Sequence, residues 1–153
     1  MEGNCKMIDK SFTAYHGTGV LFQRFECPAY FTNIPDVAAF FARQGDEPQV
    51  LECLITLNNP LIVDLGGQSW GGFWLDDTDI QNACIQYSAA GDIEEEEYFN
   101  ENGLTIGFLA EYASLLGYDG VIAHECYEED GSVSTQYVVF DPDNIQILER
   151  KTC

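Results

Sequence analysis

Gly120-Val121-Ile122-Ala123-His124 and Thr135-Gln136-Tyr137-Val138-Val139-Phe140 decide how this chain folds. Both segments are rich in β-branched and aromatic residues, and Glu128-Glu129-Asp130-Gly131-Ser132 between them reads as a hairpin connection. Asp141-Pro142-Asp143-Asn144 then turns the chain into a last strand, Ile145-Gln146-Ile147-Leu148. Strands that follow one another this closely point to antiparallel pairing.

Upstream of the hairpin, Leu104, Phe108, Leu109, Tyr112, Leu115 and Leu116 recur at helical spacing, and Gly117 stands where a left-handed cap belongs. Val50 through Leu57 is a strand, ended by the turn Asn58-Asn59-Pro60, and Leu61-Ile62-Val63 is extended again. Nearer the start, residues 11–16 alternate Phe12, Ala14 and His16 against Thr13 and Tyr15, as a half-buried strand does. Tyr30-Phe31-Thr32 is a short strand, and Pro35-Asp36 opens a short helix with Val37, Phe40 and Phe41 on one face. Residues 66–102 give no readable pattern, and the run Glu94 to Glu97 reads as a solvated face. About six or seven strands with two or three helices make an α+β fold, largely antiparallel, rather than a doubly wound parallel one. No repeat or linker divides residues 1–153, so one domain is expected.

The chain's 153 residues suffice to bury roughly 70% of the unfolded surface, and a hydrophobic share of 46% argues for a globule. Twenty-six acidic residues face six basic ones, a net charge of −20. A field of that sign repels nucleic acid and anionic membranes and favours a basic protein partner. No apolar run approaches the ~18–20 residues of a membrane span, so a cytoplasmic location is expected. The six cysteines show no C-x-x-C and no histidine at ligand spacing; they read as buried thiols, and no metal is expected.

One of only two histidines sits in Tyr15-His16-Gly17-Thr18-Gly19, where small residues let the backbone approach a ligand. That segment, Ala29-Tyr30-Phe31-Thr32 with its Ala- and Phe-rich helix, Asn59-Pro60-Leu61, Gly117 to Ile122, and Gln136 to Pro142 with Asn144-Ile145 follow one another in a telling order. The arrangement resembles small phage and bacterial ADP-ribosyltransferases, including those found inside phage polyvalent proteins. The resemblance implies a split pair of small antiparallel sheets with NAD in the cleft between them. In the histidine-tyrosine-glutamate version, the histidine contacts the adenosine-side ribose, the tyrosine stacks on nicotinamide, and a carboxylate meets the nicotinamide ribose. These roles map onto His16, Tyr30 and Gln136. NAD contacts are further expected from Gly17, Thr18, Gly19, Phe31 and Thr32, with Arg24 at the pyrophosphate.

Gln136 departs from that pattern, because an amide binds hydroxyls but carries no charge. Three readings stay open. Gln136 binds while Glu125, Glu128, Glu129 or Asp130 supplies the carboxylate, with Asp130 favoured from its place on the turn. Alternatively the acceptor needs little activation, or the protein binds NAD without chemistry. Tyr15 and Phe31 compete with Tyr30 for the cleft, since strand parity is uncertain by one residue. His16 as a core histidine on a backbone carbonyl is the structural alternative, while Asp119 and His124 read as structural. The leading expectation is mono-ADP-ribosylation of a basic, nucleic-acid-binding host protein, as in phage counter-defence. Its rival is an acidic inhibitor that imitates nucleic-acid charge. NAD hydrolysis or phosphotransfer stands behind both, the latter for want of arginines.

Overall fold

Alternation in Val50-Leu51-Glu52-Cys53-Leu54-Ile55 builds the central strand. In the computed structural model, which describes residues 11–19, 25, 28–43, 45–75, 99–100, 103–128 and 131–152, Leu51, Cys53 and Ile55 are fully buried. This strand, β3 (Gln49–Thr56), is flanked by β1 (Ser11–Thr18) and β9 (Ile145–Thr152), both antiparallel to it. The remaining strands of the main sheet are β2 (Ala29–Thr32), β4 (Pro60–Asp64), β7 (Gly120–Tyr127) and β8 (Val133–Val139). The order is β4-β7-β8-β2-β1-β3-β9. Two-residue strands β5 (Phe99–Asn100) and β6 (Gly103–Leu104) form a separate ladder.

The α+β class stands, with two helices among the described residues. The expected pair of split antiparallel sheets takes a different form here: one mixed sheet of seven strands. Its parallel strand pair is β4 with β7, from Pro60↔Gly120 to Asp64↔His124. Helix α2 (Ile106–Leu115) lies in the chain between these two strands, and parallel neighbours require such a crossover. A split survives as a weakness in the sheet, because β1 and β2 share only the pair Tyr15↔Thr32.

Each face of the sheet has its own core. Ala14, Phe31, Leu51, Ile55, Ile122 and Tyr137 pack on one face, and Val63, Leu65, Val121, Ala123 and Val138 pack against Phe108 and Leu109 of α2 on the other. Burying Phe108 and Leu109 contributes about 1.5–3 kcal/mol each. The ends of α2 follow the sequence: Thr105 Oγ1 accepts from Phe108 N–H, and Gly117 takes a φ of +89° beyond the last turn. Helix α1 (Pro35–Ala42) starts on proline and buries Val37, Ala38 and Ala42 rather than Phe40 and Phe41, which stay half-buried. It lies so close to β1 that a Cβ on Gly17 would fall 1.8 Å from the Ala38 carbonyl oxygen. Among the described residues no helix is long and apolar enough to cross a membrane.

Candidate active site at the seam between β1 and β2

Had the β1–β2 ladder continued beyond Tyr15↔Thr32, Gly17 would oppose Tyr30. Instead the strands part, and the Tyr30 carbonyl accepts a 2.6 Å hydrogen bond from His16 Nδ1. The imidazole thus takes the place of a ladder donor and occupies the gap. Phe25 and Phe31 hold its ring at centroid distances of 4.9 and 5.5 Å. Because a carbonyl can only accept, Nδ1 carries the proton and Nε2 is the acceptor nitrogen of the neutral ring. Desolvation lowers the His16 pKa from its usual 6.5, and the Tyr30 hydrogen bond opposes that only in part. The core-histidine alternative and the site assignment therefore meet in one residue.

A cavity of about 590 Å³ opens where the strands part. Paired residues project from one face, so Tyr15, Thr32 and Gln136 share a side through Tyr15↔Thr32 and Thr32↔Gln136, and Tyr30 lies two residues from Thr32 on that same side. All four line the cavity, and His16 reaches it through the gap from the opposite face. Tyr30 is 37% exposed, an aromatic face open to a ligand. The uncertainty over strand parity resolves with Tyr15 beside Tyr30, whereas Phe31 borders the cavity from the packed core.

The roof was not legible in advance. Ala38 and Phe41 come from α1, Trp70 and Gly71 from a loop, and Thr105, Ile106 and Gly107 from the start of α2. Gly17, Gly71 and Gly107 present main-chain atoms. The Trp70 loop is placed by isolated bridges, Ser69↔Tyr127 and Phe73↔Leu104, whose residues lie far apart in the chain. The Thr105 cap before an apolar helix was the one available signal for the α2 contribution.

The first strand, expected over residues 11–16, runs further. β1 continues through Thr18, pairing Gly17↔Val50 and Thr18↔Gln49, because Gly17 is needed for the approach of α1 and Gly19 for that of Gly45. Of Gly17, Thr18 and Gly19, only Gly17 lines the cavity. Arg24, Glu129 and Asp130 lie outside the described residues. Asp119 is structural, accepting from Asn58 N–H at 2.6 Å and Asn59 N–H at 2.9 Å. His124 is exposed, with Nδ1 3.3 Å from Thr135 Oγ1. Burial pushes the thiols of Cys53 and Cys126 up to about 12, which leaves both unreactive.

The hairpin carboxylates divide sharply. Register between β7 and β8 shifts from Ala123↔Gln136 to Cys126↔Ser134, a bulge in which Glu125 adopts a φ of +53°. The extra residue turns Glu125 outward, where a hydrogen bond with Asp64 and that group's negative charge raise its pKa. It turns Glu128 inward. Glu128 is 1% exposed, and its Oε2 accepts from Gln136 Nε2–H at 2.8 Å and from Ser134 Oγ–H.

A family model, ADP-ribosyltransferase in polyvalent proteins, matches residues 10–152, nearly the whole chain. The chain belongs to that family. No curated protein and no solved structure matches it. Membership of that family supports a general ADP-ribosylation activity.

Proposed function

We propose that this ADP-ribosyltransferase uses NAD as its donor, held in the seam cavity, and modifies a basic protein. The observation that carries this reading is the convergence of His16, Tyr30 and Gln136 on one cavity within a chain of this family. The cavity suits NAD. Its volume falls in the range of small-molecule sites, its walls are largely aromatic or apolar, and a few polar groups converge on it.

ADP-ribosyl transfer breaks the bond between ribose C1′ and the nicotinamide nitrogen. The electron pair leaves with nicotinamide, and an acceptor heteroatom bonds C1′ as it loses its proton. His16 Nε2, an acceptor in the tautomer set by Tyr30, receives a hydrogen bond from a ribose hydroxyl. The ring of Tyr30 faces the pyridinium, a cation–π contact of about 0.5–2 kcal/mol. Gln136 binds the ribose next to the reacting carbon. Main-chain atoms of Gly17 border the same space, and the positive end of α2 at Thr105–Gly107 favours the diphosphate. Negative charge beside C1′ lowers the barrier, since the ribose becomes oxocarbenium-like.

Target choice follows from charge: 26 acidic residues against 6 basic ones steer a cationic partner toward the enzyme. A nucleic-acid-binding host protein, inactivated by modification, fits this field. Labelled NAD incubated with the protein and a host lysate tests the reading. A labelled band is expected with wild type and lost with His16→Ala; no labelled protein from folded wild type contradicts it.

A further inference from the structure

Glu128 is a buried carboxylate that the reading above leaves without a task. Its residue is 1% exposed, Oε2 receives two hydrogen bonds, and Oε1 is buried with no hydrogen-bond partner among the described residues. Burying a carboxylate with one unsatisfied oxygen is costly, and an apolar side chain would serve stability better. The bulge at Ala123/Cys126, with a non-glycine residue at positive φ, is what turns this side chain inward. Such bulges re-aim side chains next to active sites.

We infer that Glu128 is the positioning carboxylate of the site, orienting the amide of Gln136 and supplying negative charge one side chain behind the ribose. This role rests on the transferase reading. Glu128 is not among the residues lining the cavity; Gln136 is. The Gln136 amide presents Nε2–H to Glu128 Oε2, which accepts it. That orientation leaves Oε1 of Gln136 as the acceptor offered to the cavity. An amide held this way binds a ribose hydroxyl as a carboxylate would, and the charge it lacks sits on its partner. Ser134 fixes the partner from the other side. Asp130, favoured from its place on the turn, is not needed for this arrangement.

The test compares nicotinamide release from NAD, with the host lysate as source of the acceptor protein, and NAD affinity for wild type, E128Q, Q136E and the exchanged pair E128Q/Q136E. E128Q is expected to lose about 100-fold in kcat while NAD affinity changes little. Q136E sets two carboxylates at hydrogen-bond distance and is impaired as well. The exchange restores one charge and one amide, and recovers kcat to within about tenfold of wild type. A purely structural Glu128 would show lost stability with kcat of the folded fraction unchanged. E128Q with wild-type kcat, or a folded exchange no faster than E128Q, overturns the assignment. Should E128Q not fold, the exchange decides: folded and active it supports the role, folded and inactive it overturns it. A wild type that binds NAD and turns over beside an equally active E128Q removes the Glu128 role alone. A wild type that releases no nicotinamide removes the transferase reading and this role with it.

Discussion

β1 has two unlike edges. Toward β3 it is zipped from Ser11↔Thr56 to Thr18↔Gln49, above a core of Ala14, Leu51 and Ile55. Toward β2 it is held by Tyr15↔Thr32 alone, and His16 rather than a strand satisfies the next carbonyl. The closed edge carries stability and the open edge carries the cavity. A sheet makes a binding cleft here by declining to pair, and one imidazole keeps the exposed backbone from going unsatisfied.

The sharpest way to break the contrast is at the closed edge. Leu51→Ala empties a fully buried position and is expected to cost about 3 kcal/mol in urea denaturation, while folded protein still binds NAD. Weakened binding without lost stability would show that the edges are not separable. Gly17→Ala acts on both, because its methyl meets the α1 backbone. It should cost about 2 kcal/mol and also lower NAD affinity as α1, with Phe41, is pushed off the cavity. Tyr30→Ala belongs to the open edge alone: affinity is expected to fall about tenfold in calorimetry with little change in melting temperature.

The smallest effect is on pH dependence. The folded pKa of His16 lies below its unfolded value, so between the two the unfolded chain binds more protons than the folded one. Stability then rises with pH across that window, is fully present above about pH 6.5, and is lost as pH falls toward the folded pKa. His16→Asn should flatten that slope in denaturation curves below about pH 6.5. An unchanged slope would place the acid sensitivity elsewhere.

Much of this was legible because local chemistry decided it. Apolar spacing and Gly117 announced α2, and β-branched and aromatic runs with a turn between them announced the β7–β8 hairpin. His16, Tyr30 and Gln136 were singled out through a family resemblance, and all three line one cavity. What stayed hidden depends on distant partners. Nothing in Leu61-Ile62-Val63 says that β4 pairs in parallel with β7, and nothing near Trp70 says that it roofs a cavity. Plain alternation along β7 from Val121 and Ala123 points Glu125 inward, and only the bulge reverses this in favour of Glu128. Glu128 was one of four hairpin carboxylates that the sequence offered, with Asp130 favoured; its contact with Gln136 is what no spacing rule contains.

Backbone amide NMR during titration with NAD tests the open edge most directly. The account predicts saturable shifts at Tyr15–Gly17, Tyr30–Thr32, Thr105–Gly107 and Gln136, with β9 unmoved and the response weakened in His16→Ala. Shifts confined to β3 and β9, or no response at millimolar NAD from folded protein, would contradict it.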